Sequence, residues 1–306
     1  MFQNIFYSRY ICFYLIALFC SASAQAQTNL VDKVKSKRWI HGQQNCALNK
    51  QPAIDVLKLS ESTYIFRQNK CTHYEAPFIY LLLGKQKALL FDTGATADTE
   101  HFPLSQLVIQ TVKQFQAKFQ LAPIELIVAH SHSHSDHYAG DGQFRALAKS
   151  HVIKPNLQSV VEFFNFKDWP NSNSNFDLGD RMLTVIPIPG HQQESIAIYD
   201  SESQFVLSGD TFYPGRLYIR DWNQFSNSIE QLTNLSLSKE IIGFLGAHIE
   251  MSEEGSDFPV GATYQPNEVD LLLSTHELME LHSIIKQLGD SPSIMQVGDV
   301  ILYPVE

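Results

Sequence analysis

The stretch Ile124-Glu125-Leu126-Ile127-Val128-Ala129-His130-Ser131-His132-Ser133-His134-Ser135-Asp136-His137 decides how this chain is read. Its first six residues are a mostly apolar run of strand character that empties directly into a cluster of histidine and aspartate. In an extended segment residues two apart project to the same side, so His132, His134 and Asp136 converge on one region. His137 opens a helical turn and reaches a neighbouring point, a spacing that suits two adjacent metal ions. Imidazole and carboxylate ligands without thiolates fit zinc, iron or manganese, with zinc the first choice. A Ser/His-rich tract alone would also suit a solvated loop that picks up stray metal; the preceding strand and the Asp-His ending favour a built site. His130 shares the parity but not the register that ends in Asp-His, so it is expected behind the site or at the surface.

Outward from the cluster, three downstream residues sit in matching contexts. His191 follows the turn Pro189-Gly190, Asp210 follows the run Phe205 to Ser208 and Gly209, and His248 follows the run Ile241 to Leu245. Each lies just past a strand, where layered sheet proteins assemble their sites. Upstream, Ile54 to Leu59, Thr63 to Arg67, Phe78 to Leu83 and Ala88 to Phe91 read as an antiparallel meander ending on Asp92-Thr93-Gly94. A helix carries Leu104, Val108, Val112, Phe115 and Phe119. Helical stretches follow at 143–149 and 157–166, strands at 182–187, 195–199 and 205–208, a helix at 223–235, and a final helix at 269–288. Asn171 to Asn175 is the one low-complexity tract. Sheets alternate with helices, which places the chain in the layered α/β class.

The 306 residues are 44% hydrophobic, enough for a full core. Met1 to Ala26 has one basic residue, Arg9, an apolar run from Tyr10 to Cys20, and small residues ending in Ala24 and Ala26. That layout predicts a cleaved signal peptide over 1–26, with export to the periplasm or medium. The run is too short to span a bilayer, and lipid attachment at Cys20 fits less well because Phe19 is bulky. The mature chain then has 21 basic against 32 acidic residues, which argues against a nucleic-acid partner. Cys46 and Cys71 remain as the mature chain's pair, and an oxidising compartment predicts a disulfide between them. Residues 27–53 form an N-terminal extension to one domain over 54–306. Nothing in the composition sets the oligomeric state.

With these landmarks in order, the chain resembles the metallo-β-lactamase fold superfamily from about Ile54 to His248. The resemblance implies a four-layer αββα sandwich closed by a C-terminal helix. It implies His132, His134 and His191 on one metal, Asp136, His137 and His248 on a second, and Asp210 bridging them. Asp92 matches a position behind the ligands. Two departures stand out: Ala139 replaces the first glycine of the usual Asp-His-x-Gly-Gly, and Gln192-Gln193-Glu194 replaces the usual Thr-Pro-Gly. The bridging aspartate and His137 look more like the glyoxalase II and lactonase branches than the lactamases, and export disfavours glyoxalase II itself.

The implied function is an exported dinuclear metal-dependent hydrolase of a small-molecule ester, thioester, lactone or amide, using a hydroxide shared by two metals. Asp136 would orient that nucleophile. Tyr213 is a candidate oxyanion donor or a packing residue, and Arg216 and Arg220 are candidates to meet a substrate carboxylate. Phe163, Phe164, Phe166, Trp169 and Tyr264 either wall a pocket or fill the core. The alternatives are an iron-dependent oxidoreductase of the same superfamily and a non-catalytic periplasmic metal or ligand binder.

Overall fold

The computed structural model describes residues 27–305, and the expected signal peptide lies outside them. After a helix over residues 27–36 (α1), the strands β1 (Ile54–Lys58), β2 (Thr63–Gln68), β3 (Phe78–Leu83) and β4 (Lys87–Phe91) form the expected antiparallel meander. The helix α2 (Leu104–Phe119) then crosses over, so that β5 (Glu125–Ala129) pairs parallel with β4. The cluster leaves β5 through the single turn α3 (Ser135–Tyr138). A second turn, α4 (Gly142–Arg145), leads to β6 (Ser150–Val152), which closes a six-stranded sheet in sequential order.

A further helix, α5 (Leu157–Phe164), leads into a second six-stranded sheet. It contains β7 (Ser174–Asp177), β8 (Met182–Pro187), β9 (Ile196–Asp200), β10 (Phe205–Gly209), β12 (Gly243–Gly246) and β13 (Leu272–Leu273). The inner faces meet: Ile65, Phe78, Tyr80 and Leu89 pack with Leu183, Val185, Ile198 and Leu207. The outer face of the first sheet is covered by Leu104, Val108 and Val112 of α2. The second is covered by Phe225, Ile229 and Leu232 of α6 (Trp222–Ser238) and by Leu278, Leu281 and Ile285 of α7 (Thr275–Leu288). The layers are therefore α, β, β, α, as expected, with each buried aliphatic or aromatic side chain contributing on the order of 1.5–3 kcal/mol.

Several local expectations change. The last helix starts at Thr275, because Leu272 and Leu273 pair with Leu245 and Phe244 and a capping box between Ser274 and Glu277 then opens the helix. Residues 143–149 give only α4. The asparagine-rich tract enters β7, paired on β8. A third sheet was not expected: β11 (Arg216–Ile219) pairs parallel with β15 (Val300–Pro304), itself in a hairpin with β14 (Met295–Val297).

Cys46 and Cys71 form the expected disulfide. Residues of the extension enter the main core, with Val34 and Trp39 buried between the sheets. Phe164 and Phe166 are buried in the same core, Phe163 and Trp169 pack against it, and Tyr264 stacks edge-on to His41. The four from Phe163 to Trp169 thus belong to the core, while Tyr264 stays exposed. Among the described residues no helix is long and apolar enough to cross a membrane.

Candidate metal centre

The seven residues expected to bind metal arrive from four strand ends at one edge of the sandwich. His132, His134, Asp136 and His137 leave β5, His191 leaves β8, Asp210 follows β10 and His248 follows β12. Two glycines permit the approach. Gly209 has φ +53°, and a Cβ there would lie 2.6 Å from the Ser131 side chain. Gly190 has φ +137°, and a Cβ would lie 2.5 Å from the Phe225 backbone. Any larger residue at either position would push a ligand loop outward. Ala139, by contrast, sits at φ −58°, ψ −32°, a helical conformation that alanine adopts freely, so the missing glycine leaves the turn intact.

Two groups result, each with its ligand atoms within 4.8 Å of one another: His132, His134, His191 and Asp210, then Asp136, His137 and His248. Asp210 lies between them. Its Oδ2 is 3.7 Å from His132 Nε2 and 3.6 Å from His191 and His137 Nε2, and its Oδ1 is 3.4 Å from His248 Nε2. Asp136 Oδ2 is 3.1 Å from His137 Nε2 and 3.3 Å from His248 Nε2.

The ring tautomers are set from behind. His191 Nδ1 donates to the Tyr218 carbonyl at 2.6 Å and His248 Nδ1 to the Glu75 carbonyl at 3.1 Å, so each turns a bare Nε2 inward. His137 Nδ1 lies 2.9 Å from Asp92 Oδ2, whose other oxygen accepts Ser131 N–H at 2.7 Å. That carboxylate–histidine pairing is the support a metal-bound imidazole needs. The inward nitrogens of His132, His134 and His191 stand 3.0–3.2 Å apart. A ring N–H can bridge one such pair, but three nitrogens converging on one point is the arrangement a cation fills. Among the described residues His137 Nε2 and Asp210 Oδ1 are buried without a hydrogen-bond partner, a costly state that coordination removes. The residues therefore fit a pair of divalent ions.

Electrostatics separate the two groups. Burial pushes His132 and His191 below the usual histidine range and His134 down to about 4, favouring the neutral, ligating ring. Burial acts the same way on His248 and His137, but Asp210 and Asp136 outweigh it, raising His248 to about 9 and His137 well above its ordinary value. Against their own burial, Asp136 is held well below the carboxylate range by His137 and His248, and Asp210 by His248 and His137.

The centre floors a cavity of about 450 Å³ lined by His134, Asp136, Tyr218, Arg220, Glu75 and Val305, among others. Tyr213 also borders it, with its ring 5.6 Å from that of His248. Its hydroxyl, however, donates to the Arg216 carbonyl and lies 3.2 Å from Glu250 Oε2, so the phenol proton is already engaged. Arg216 is buried and bound to Glu250, Asp257 and the Phe258 carbonyl, which leaves it unavailable to a substrate. Arg220 stands exposed at the rim. His130 is buried on Asp141 at 2.7 Å, outside the ligand groups.

Sequence reasoning missed the Tyr218 and Glu75 carbonyls, because a backbone acceptor has no residue signature. It also passed over the replaced motif: the Gln192 amide contacts His134 Nε2, and Glu194 accepts Ser133 N–H at 3.0 Å. The signal was there, in polar residues where a turn sequence was expected.

The family model described as the metallo-beta-lactamase superfamily matches residues 75–243. Acyl-coenzyme A thioesterase MBLAC2 of Homo sapiens is 26% identical over 180 residues, 48% of this chain and 62% of that protein. Hydroxyacylglutathione hydrolase of Bdellovibrio bacteriovorus is 27% identical over 121 residues, 39% of this chain and 46% of the relative. The chain thus spans less than two thirds of the length of either. A metallo-beta-lactamase from Pontibacter korlensis aligns over 76% of this chain and 99% of its own, with a TM-score of 0.48 and 16% identity.

Proposed function

Because this chain belongs to the metallo-beta-lactamase superfamily, we propose that it is an exported hydrolase with two divalent ions, zinc first, that cleaves an acyl bond. Thioesters lead the candidates, since the two curated relatives are named for acyl-coenzyme A and hydroxyacylglutathione, both acyl thiol esters; esters, lactones and amides complete the class. The observation that carries the reading is the convergence of seven ligand atoms on Asp210, with orphaned buried atoms at His137 and Asp210.

His132, His134 and His191 would hold one ion, Asp136, His137 and His248 the other, with Asp210 shared. When bound, the ions supply Lewis acidity for the carbonyl and a water that ionises near neutral pH. Asp136, kept charged, orients the attacking water by hydrogen bond. Asp92, Tyr218 and Glu75 keep the rings from rotating as charge develops. Water adds to the carbonyl carbon, the carbon–sulfur bond breaks, and the sulfur leaves as thiol with the proton the water gave up.

The test is metal analysis of the purified mature protein with a hydrolysis panel, using Asp136→Ala as control. Two zinc ions and thioester turnover lost in Asp136→Ala are expected. Iron with oxygen consumption would replace the hydrolase with an oxidoreductase, and bound metal with no turnover on any acyl bond would leave a binder. Export belongs to the same proposal and is supported by the Cys46–Cys71 disulfide. N-terminal sequencing should find a mature start at Gln25 or Gln27; an intact 1–26 segment in the cytosol would contradict it.

A further inference from the structure

A second cavity, of about 290 Å³, lies between the N-terminal extension and the loop that follows β12. Lys37, Arg38 and Trp39 form one wall, and Glu253 with residues 265–270 forms the other. None of these residues falls within 75–243, so the cavity stands outside the part of the chain that matches the superfamily. Backbone bonds hold the walls together. Gln265 N–H donates to the His41 carbonyl and Gln43 N–H to the Thr263 carbonyl, both at 2.9 Å, and Glu253 N–H donates to the Asn267 carbonyl at 2.8 Å.

Each wall leaves a polar atom unpaired. Trp39 and Gln265 are only 7% and 4% exposed, and among the described residues the Trp39 indole N–H and the Gln265 amide oxygen are buried without a hydrogen-bond partner. Such an orphan costs about 1–3 kcal/mol, and the same signature marks His137 and Asp210 at the candidate metal centre. Lys37 covers the Trp39 ring at 5.0 Å and Phe78 meets it edge-on at 4.9 Å, so its N–H, not its face, remains for a ligand. The Gln265 amide turns about a soft terminal torsion, which lets its oxygen swing to meet a donor at little cost. The charges of the walls cancel with one exception. Lys37 is paired with Asp55 at 2.7 Å, Arg38 with Glu253 at 3.2 Å, and both oxygens of Glu268 with Arg67. Asp270, half-buried, has no ion pair among the described residues. Asp299 is raised by burial first and then by the charges of Glu277 and Asp270, so this end of the cavity already carries excess negative charge.

We propose that this cavity is a second binding site, for a small aminoacyl compound. Its ammonium meets Asp270 and the Gln265 amide oxygen, its carbonyl oxygen accepts the Trp39 N–H, and an aliphatic side chain lies against Pro266 and Val269. One free carboxylate and one free acceptor call for a cationic donor, and one free indole N–H calls for an oxygen beside it. A volume of about 290 Å³ is at the small end of ligand sites and suits one amino-acid unit. The site is separate from the metal centre and does not rest on the hydrolase reading.

Calorimetric titration of the zinc-loaded protein with three related compounds tests the site. Leucinamide should bind at least about 10-fold tighter than isocaproamide, which lacks the ammonium, and about 3- to 10-fold tighter than isoamylamine, which lacks the carbonyl. Asp270→Asn should lower leucinamide affinity about 10-fold and leave isocaproamide unchanged. Trp39→Phe keeps an aromatic ring and removes the N–H, so leucinamide should fall to the level of isoamylamine. A thermal melt checks both variants; if Trp39→Phe loses the fold, Asp270→Asn, which carries no core packing, decides alone. Asp210→Ala should leave leucinamide binding as it is, because the metals take no part. No heat with leucinamide at millimolar concentration, or equal affinity for the three compounds, overturns the site. So does a loss in Asp210→Ala as large as that in Asp270→Asn, which would put the amine on the metals.

Discussion

The two halves of the candidate metal centre are built on different electrostatics. The His132, His134 and His191 half is imidazole alone, with rings pushed toward neutrality by burial and an outer edge open to Gln192 and Arg220. The Asp136, His137 and His248 half is charge-compensated, with Asp92 behind His137 and Asp136 beside both rings. In the second half carboxylates favour charged rings, so a proton can stand in for a cation; in the first, burial disfavours ring charge while three nitrogens converge on one point. The first half should therefore depend more on metal for its order, and the second should keep its geometry when stripped.

The sharpest way to break the distinction is to remove what the halves share. Asp210→Ala should lower bound metal from two ions to one or fewer, read by elemental analysis, and reduce turnover by at least about 10³-fold. Next comes the anchor of the second half alone. The loop that offers the Glu75 carbonyl to His248 is tied down by the Cys46–Cys71 disulfide. Replacing both cysteines by serine should cost on the order of 3 kcal/mol in denaturant unfolding. It should weaken the Asp136, His137 and His248 half more than its neighbour.

Asp92→Asn sharpens the comparison more gently. The carboxylate that fixes the His137 ring becomes an amide, and one metal affinity should fall by about 10- to 100-fold in a chelator competition, with the other nearly unchanged. Equal losses at both ions would erase the division. A separate effect, on stability alone, concerns Lys70, buried next to the disulfide, its ammonium on the Tyr74 carbonyl. Burial, aided by Arg67, lowers Lys70 to about 7 from the ordinary lysine range. Between about pH 7 and the unfolded value near 10.5 the unfolded chain binds the extra proton, so this residue makes stability rise with pH. The slope is at most about 1.4 kcal/mol per pH unit. Lys70→Met should be more stable than the parent at pH 7, with the gap closing toward pH 10.

The comparison also explains what the sequence made legible. The alternation of His132, His134 and Asp136 after an apolar strand, and His191, Asp210 and His248 at later strand ends, is written in side-chain identity and parity. All seven lie together in the structure. The meander and α2 were equally plain, because their apolar spacing matches a period. The supports were not legible: Tyr218 and Glu75 act through carbonyls that any residue could supply. Tyr213 and Arg216 looked like substrate contacts because they follow Asp210 closely. Only packing shows that Glu250 and the Arg216 carbonyl claim them, while Arg220, four residues on, stands at the rim with no carboxylate partner among the described residues. The third sheet escaped notice because β11, β14 and β15 are short and none carries a clean alternation.

The central claim is that both halves together form one hydrolytic centre, and a metal titration of the stripped protein tests it most directly. Zinc is added in fractions of an equivalent while bound metal and thioester turnover are followed in the same sample. Turnover that stays low through the first equivalent, rises with the second and then levels is the predicted result. Full turnover at one equivalent, or none at two, would contradict it.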